Sequence, residues 1–317
     1  MPPSGPCPRP VSWAIAALAA AIAACSGQTL TLGSSNPRRY HFDPPQVVTA
    51  LRSDAPARTD NPTLTADLLE IFFTSDRGGG SGSGDVWSAR RGDVAHPFGA
   101  PAPLTEVNSS TFETSSAISA DGLTLWFGSD RPGGVGSTDI WVSSRANRNS
   151  PWLSPGNVVA LNTTAEDIPR PPGQHGLVMP LSSKTATAAV YQTFFATRSS
   201  EGAPFGMPVL VSRLAYPDRS TVDGFLSDDG LTLFFSSAFL QAPPDAAAPD
   251  GGTPTADLYV AYRRSVDDEF EQTFPLEELN TAGDERDPWL TPDGKTLYFT
   301  SDRDGALNIY TAAVQPR

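Results

Sequence analysis

The residues with the plainest chemical potential are five acids: Asp60, Glu113, Asp167, Asp223 and Asp287. Each stands just ahead of a short run with strand character. Brought to one place, five carboxylates would attract cations or basic groups of a partner and raise one another's pKa. Two of them at a defined separation, one with a raised pKa, are also what glycoside hydrolysis requires. The competing reading is a wet rim that tolerates acids on an acidic protein. Spacing alone favours that reading, because a repeated scaffold hosts many functions and names none of them.

Other motifs point to structure. The triplets Ser75-Asp76-Arg77, Ser129-Asp130-Arg131 and Ser301-Asp302-Arg303 recur at equivalent places. Arg can pair with carboxylates and Asp can hold turn amides, and repetition makes a structural role the simplest one. The Gly-rich stretch Gly78 to Gly84 has no Gly-Lys-Ser/Thr ending and no helix after it, so it reads as a hairpin loop and not a phosphate cradle. His41, His96 and His175 are scattered, which argues against zinc. The segment Asp302 to Gly305, followed by Asn308, offers oxygen ligands but lacks the bidentate Glu of a calcium loop. No G-x-S-x-G elbow occurs. The expectation is no catalytic constellation, no metal and no cofactor.

Composition narrows the classes further. The 317 residues are 39% hydrophobic with a formal net charge of -13. That apolar fraction is too high for a disordered chain. The acidic balance, with Lys184 and Lys295 the only lysines, excludes a phosphate-binding surface for nucleic acid. Two cysteines supply neither a disulfide framework nor a Cys-based metal site.

The elements that must position the acids follow from an internal repeat. Asp67, Asp121, His175 and Asp229 lie 54 residues apart, and Asp293 follows after 64. Behind them stand LLEIFFTSDR, GLTLWFGSDR, GLVMPLSSKT, GLTLFFSSAF and GKTLYFTSDR. The extra residues of the last interval fall in PPDAAAPDGGTP, a polar loop. A second element recurs downstream at Asp85-Val-Trp87, Asp139-Ile-Trp141, Thr193-Phe-Phe195, Asp257-Leu-Tyr259 and Asn308-Ile-Tyr310. A third pairs an aromatic with an apolar residue nine positions on, as in Phe98 and Val107 or Trp152 and Leu161. Each repeat thus holds four β-like runs with a tight turn after the first. The second run is apolar throughout, as a strand buried on both faces should be. Four-stranded units repeating at this period predict propeller blades.

Phe42, Pro45 and Leu51 reproduce the spacing of the outermost element ahead of the first repeat, while the fifth repeat lacks one. The prediction is an all-β, five-bladed β-propeller over 42–317, with four antiparallel strands per blade. Its N-terminal segment PQVVTAL supplies the outer strand of the last blade and covers the open sheet edges. The acids would then converge at one mouth of the central channel.

The first 24 residues read as a signal peptide, with Arg9 their only charge and an apolar run from Val11 to Ala24 too short to span a bilayer. Ile22-Ala-Ala-Cys25 resembles the bacterial lipobox, which would make Cys25 the lipidated first residue of a mature chain of charge -14. Acyl chains there would anchor the protein to a membrane. Ser26 after the Cys suggests the outer membrane, facing the periplasm or the cell surface, by the lipoprotein sorting rule. Residues 25–41 read as a polar tether.

The runs ISADGLTLWFGSDRPGGVGSTDIW and LTPDGKTLYFTSDRDGALNIY resemble the TolB-like β-propeller family with its WD-like, Pro-Asp-Gly repeats. The resemblance is specific in blades 1, 2 and 5. Leu68 replaces the turn Gly in blade 1, His175 the turn Asp in blade 3, and Pro180 stands inside a blade 3 strand. The resemblance implies an envelope location and protein-protein interaction. Five-bladed glycosidases of the arabinanase and levansucrase type, in contrast, place catalytic carboxylates in such a funnel. The expected function is a non-enzymatic, lipid-anchored envelope propeller that binds an envelope protein or polymer. The alternative is a carbohydrate-active enzyme using the acidic channel mouth; a scaffold without a small ligand is a third reading.

Overall fold

The computed structural model describes residues 40–53, 56–184, 189–240 and 255–315. The expected signal peptide, Cys25 and most of the expected tether lie outside the described residues. Tyr40 and His41, on the tether side of the boundary read from spacing, already touch the body. The Tyr40 ring meets Phe234 edge-on at 5.0 Å, and His41 Nδ1 is 2.9 Å from Glu278.

Strand β1 spans Gln46–Val47. Blade 1 holds β2 (Thr59–Leu64), β3 (Glu70–Ser75), β4 (Asp85–Arg90) and β5 (Ala102–Pro103). Blade 2 holds β6 (Glu113–Ile118), β7 (Thr124–Ser129), β8 (Asp139–Ser144) and β9 (Gly156–Asn157). Blade 3 holds β10 (Glu166–Pro169), β11 (Val178–Lys184), β12 (Gln192–Thr197) and β13 (Val209–Leu210). Blade 4 holds β14 (Arg219–Leu226), β15 (Thr232–Phe239), β16 (Asp257–Tyr262) and β17 (Gln272–Pro275). Blade 5 holds β18 (Glu285–Leu290), β19 (Thr296–Ser301) and β20 (Asn308–Ala313), with β1 as its fourth strand. The result is the all-β five-bladed propeller the repeat predicts. Pro180 does not break blade 3: it sits opposite Phe195 in an intact ladder.

The clasp forms as expected. Gln46 pairs with Thr311, Val47 with Tyr310, and Phe42 bridges Val314. Each seam between blades is an apolar cluster. Phe72 and Val86 of blade 1 meet Leu125 and Phe127 of blade 2, and Ile71 and Phe73 meet Trp289 and Tyr298 of blade 5. Phe72, Phe73, Phe127, Phe234 and Phe299 are wholly buried, because a second strand must hide both of its faces. The outermost aromatic-to-apolar spacing ends on a seam residue every time: Leu51, Val107, Leu161, Leu214 and Leu279 are all buried.

A backbone stitch crosses every seam. Glu113 N donates to Gly84 O, Asp167 N to Thr138 O, Thr221 N to Tyr191 O, Glu285 N to Ala256 O, and Thr59 N to Leu307 O, all at 2.8–3.0 Å. The last of these closes the ring. The Ser-Asp-Arg triplets reinforce this layer. Asp76, Asp130 and Asp302 accept the amides of Arg58, Phe112 and Asp284, and the three Arg side chains donate to the carbonyls of Leu51, Val107 and Leu279. The Gly78–Gly84 loop is the β3–β4 hairpin, folded around Asp85, whose carboxylate accepts the amides of Ser81 and Gly82.

Candidate functional site

The five sequence-predicted acids do not converge. Opposite Ser75, Ser129, Ser183, Ser237 and Ser301 of the second strands, the inner strands carry Thr59, Glu113, Asp167, Thr221 and Glu285. All five side chains are fully buried in the seams. Glu113 accepts Ser109 N at 2.9 Å, Ser109 Oγ at 2.6 Å and Arg131 Nη2 at 2.8 Å. Asp167 accepts the amide and hydroxyl of Thr163. Glu113 and Asp167 therefore lock loops in the seams and do not reach the channel mouth. Glu285, not singled out from the sequence, does the same with Thr281.

The channel residues lie one or two positions further on. In four blades the inner strand bulges there, and the bulged residue takes positive φ: Asn61 at 55°, Ser115 at 51°, Asp223 at 60° and Asp287 at 56°. Left-handed backbone favours Asn and Asp among residues with a side chain. The bulge re-aims these side chains toward the axis. Blade 3 has no bulge and contributes Arg170, just past the end of β10. One polar residue from each blade thus meets on the axis.

Arg170, Asn61 and Asp287 bond one another, and Ser115 and Asp223 join this axial ring of residues at its sides. Arg170 Nη1 donates to Asn61 Oδ1 at 3.1 Å and to Asp287 Oδ1 at 3.4 Å, and lies 4.0 Å from Asp223 Oδ1. Asn61 Oδ1 also accepts Ser115 Oγ at 3.0 Å, and Asn61 N donates to Asp287 Oδ2 at 3.1 Å. Asp223 Oδ2 accepts Ser236 Oγ at 2.6 Å. Asp60, beside the ring, accepts Asn61 Nδ2 at 3.0 Å and faces Arg58 Nε at 3.7 Å. Of the predicted five, the structure brings together Asp60, Asp223 and Asp287. Asn61 and Ser115 occupy the same repeat position as Asp223 and Asp287, but a search for acids alone passes over them; Arg170 falls outside that register.

Burial dominates the electrostatics. It pushes the Asp287 carboxyl up to about 7, with help from the Asp223 charge and against the pull of Arg170. It raises Asp60 as well, opposed by Arg58, Asn61 and Arg286. Arg286 is lowered by burial but held above its ordinary value overall by Asp284, Asp287 and Asp223. Among the described residues no group of His, Cys, Asp or Glu is placed to hold a metal.

Two concavities complete the site. At the end of the inner strands, Leu64, Ile118, Pro171, Leu226 and Leu290, one from each blade, line an apolar cup of about 170 Å³. Trp289 and Phe225, in edge contact at 6.0 Å, add an aromatic corner. Away from the axis, a groove of about 690 Å³ runs between blades 1 and 2. Its floor holds Glu70, which takes both Arg145 and Arg90, and Arg145 stacks on Trp152 at 4.4 Å.

No protein-family model matches the chain, and no curated protein matches it in sequence. Solved structures resemble it in fold. A glycosyl hydrolase from Bacteroides ovatus is 12% identical over 89% of this chain and 96% of that one, with a TM-score of 0.53. TolB from Acinetobacter baumannii is 13% identical at a TM-score of 0.47; 84% of this chain aligns, over 56% of that protein. The catalytic domain of a GH62 alpha-L-arabinofuranosidase from Coprinopsis cinerea is 11% identical over 87% of this chain and 97% of that one, at 0.49. At 12% identity the Bacteroides ovatus structure shows a shared fold and nothing about activity.

Proposed function

We propose that the chain is a lipid-anchored propeller of the bacterial cell envelope that binds an envelope protein or polymer and performs no chemistry itself. One observation carries this reading. Each channel carboxylate is engaged by the chain's own groups: Asp60 by Asn61, Asp223 by Ser236, and Asp287 by Asn61 and Arg170. The groove between blades 1 and 2, with partly exposed Arg90 and Arg148 on an acidic protein, supports a contact surface for a partner. The lipobox-like Ile22-Ala-Ala-Cys25 supports the anchor and the address. Two measurements test the reading. Cys25→Ala should release the protein from membranes; unchanged fractionation removes the anchor. Cross-linking from the groove in intact cells should trap one envelope component, and a Glu106→Arg variant should lose it. A bare background at native expression counts against the binding role.

A second reading is favoured by the raised Asp287 carboxyl beside Asp223, the pairing a glycosidase needs between an acid and a base or nucleophile. Turnover on a glycan panel that disappears in Asp287→Asn and Asp223→Asn would select it.

A further inference from the structure

The outer edges of the blades follow a rule that one blade breaks. Leu104 N donates to Val86 O, Val158 N to Ile140 O, Val211 N to Thr193 O, Leu276 N to Leu258 O and Val48 N to Ile309 O. In an antiparallel ladder, alternate residues turn their N–H and C=O to opposite sides. The residues three before these donors, Pro101, Pro155, Pro208, Thr273 and Pro45, therefore hold outward-facing positions. Proline has no donor and blunts a sheet edge, and β1, β5, β9 and β13 are each only two residues long. The other outward donors, Asn157, Leu210 and Val47, are followed after one residue by a 3-10 turn that ends the edge. Blade 4 departs from this pattern. With Thr273 in place of proline, β17 runs four residues and pairs Gln272 with Tyr262 through Pro275 with Tyr259. It is the last strand of its sheet, and among the described residues nothing bonds the outward Thr273 N–H and C=O or the Pro275 C=O.

The same edge is acidic. Asp267, Asp268, Glu269, Glu271, Glu277 and Glu278 flank it, all exposed. Among the described residues they face three guanidiniums, Arg213, Arg263 and Arg264. The balance stays negative even with His41, beside Glu278, protonated. We propose that the outer edge of blade 4 binds an extended basic segment of another polypeptide, which joins the sheet as a fifth strand. Backbone bonds to Thr273 and Pro275 supply the pairing, and the acids select Lys and Arg. Gln272 and Phe274 share one face of the sheet and Thr273 and Pro275 the other. An incoming strand that alternates apolar and basic residues can therefore lay its apolar side along half-buried Phe274, which packs on Tyr262 at 6.1 Å. A second copy of this chain is a poor occupant, because two such edges bring like charges together. The edge lies on a different blade from the groove between blades 1 and 2, so it does not rest on the role proposed for that groove.

Fluorescence anisotropy of a labelled Lys-Val-Lys-Val-Lys-Val-Lys peptide titrated with the full chain tests the site, with Glu-Val-Glu-Val-Glu-Val-Glu as the control. The basic peptide should bind with a Kd below about 1 mM and about tenfold or more tighter than the acidic one. Thr273→Pro restores the residue found in the other four blades, removes the outward donor without touching the ladder, and should abolish binding. Glu271→Lys with Glu277→Lys leaves the backbone edge intact and should weaken the basic peptide about tenfold or more. In the native chain the Thr273 amide should exchange with solvent more slowly once the peptide is bound, which decides the matter if Thr273→Pro fails to fold. Equal binding by the Thr273→Pro protein, equal affinity for the two peptides, unchanged exchange at Thr273, or no binding up to about 1 mM would overturn the proposal. So would dimers of the native chain that disappear in Thr273→Pro, which would assign the edge to a second copy.

Discussion

Arg170 Nη1 donates to the side-chain oxygen of Asn61 at 3.1 Å, tying blade 3 to blade 1 across the axis. The same oxygen accepts Ser115 of blade 2, and the Asn61 amide donates to Asp287 of blade 5. Asn61 is therefore the hub through which four blades are polar-bonded at the channel.

Glycine at position 61 separates side chain from backbone. Asn61 sits at φ 55°, a conformation glycine adopts freely, so Asn61→Gly introduces no backbone strain. It removes acceptors from Arg170 and Ser115 and a donor from Asp60. We expect a loss of about 2–4 kcal/mol in urea unfolding, the cost of leaving buried charged and polar groups unpaired. A loss under about 0.5 kcal/mol would show that the hub is not needed.

The ring also predicts a pH slope. Asp287 has a folded pKa of about 7 against 3.8 for an unperturbed Asp, so the folded state holds its proton more tightly. Its contribution is complete below about pH 4 and is lost as pH rises towards 7, by at most about 4 kcal/mol. Burial and the neighbouring Glu285 and Asp284 push Asp257 to about 6, which adds in the same direction. Asp67 and Asp293 are lowered, and their contributions vanish only as pH falls below about 4. Unfolding free energy measured from pH 4 to 7 should therefore show a flatter decline in Asp287→Asn than in the native chain.

In the seams, the chain itself shows which substitutions are tolerated. Glu113 occupies the place held by Thr59 in blade 1, where Arg77 donates to the Thr hydroxyl at 2.6 Å. Glu113→Thr should keep a partner for Arg131 and cost less than about 2 kcal/mol. Glu113→Ala strips that partner from the part-buried Arg131 guanidinium and leaves Ser109 and Ser129 without their buried acceptor, and should cost about 3–5 kcal/mol. Equal thermal midpoints for the two variants would contradict this account.

Two glycines of one hairpin should behave oppositely. A Cβ on Gly82 would lie 1.7 Å from the carbonyl oxygen of Thr111, whereas one on Gly78 meets nothing within 4 Å. Gly82→Ala should destabilise by more than about 2 kcal/mol through the forced shift of the neighbouring blade. Gly78→Ala should be neutral or stabilise by up to about 1 kcal/mol. Denaturant midpoints of the two proteins compare them directly.

The blade count, the clasp and the doubly buried second strands could be read directly from the sequence, because period and apolar runs survive the local irregularities that β-bulges create. The channel could be read only in part, because acids chosen by charge alone do not share one repeat position: Glu113 and Asp167 stand with Thr59, whereas Asp223 and Asp287 stand two residues further on, with Asn61 and Ser115. Glu113 and Asp167 fall two residues short of the bulge position and enter the seam, while Asp223 and Asp287 fall on the bulge and face the axis. Arg170 was hidden for a related reason: its blade lacks the bulge, so a different residue type occupies the axis there.

Phe42 and Val314 are bridge partners, and the same stitch joins every pair of neighbouring blades, the first and fifth included. Where the polypeptide starts is accordingly an accident of connectivity. Linking the two ends and cutting the exposed bend around Asp93 would yield a circularly permuted chain with the same contacts, its terminal strand no longer a latch but an ordinary neighbour.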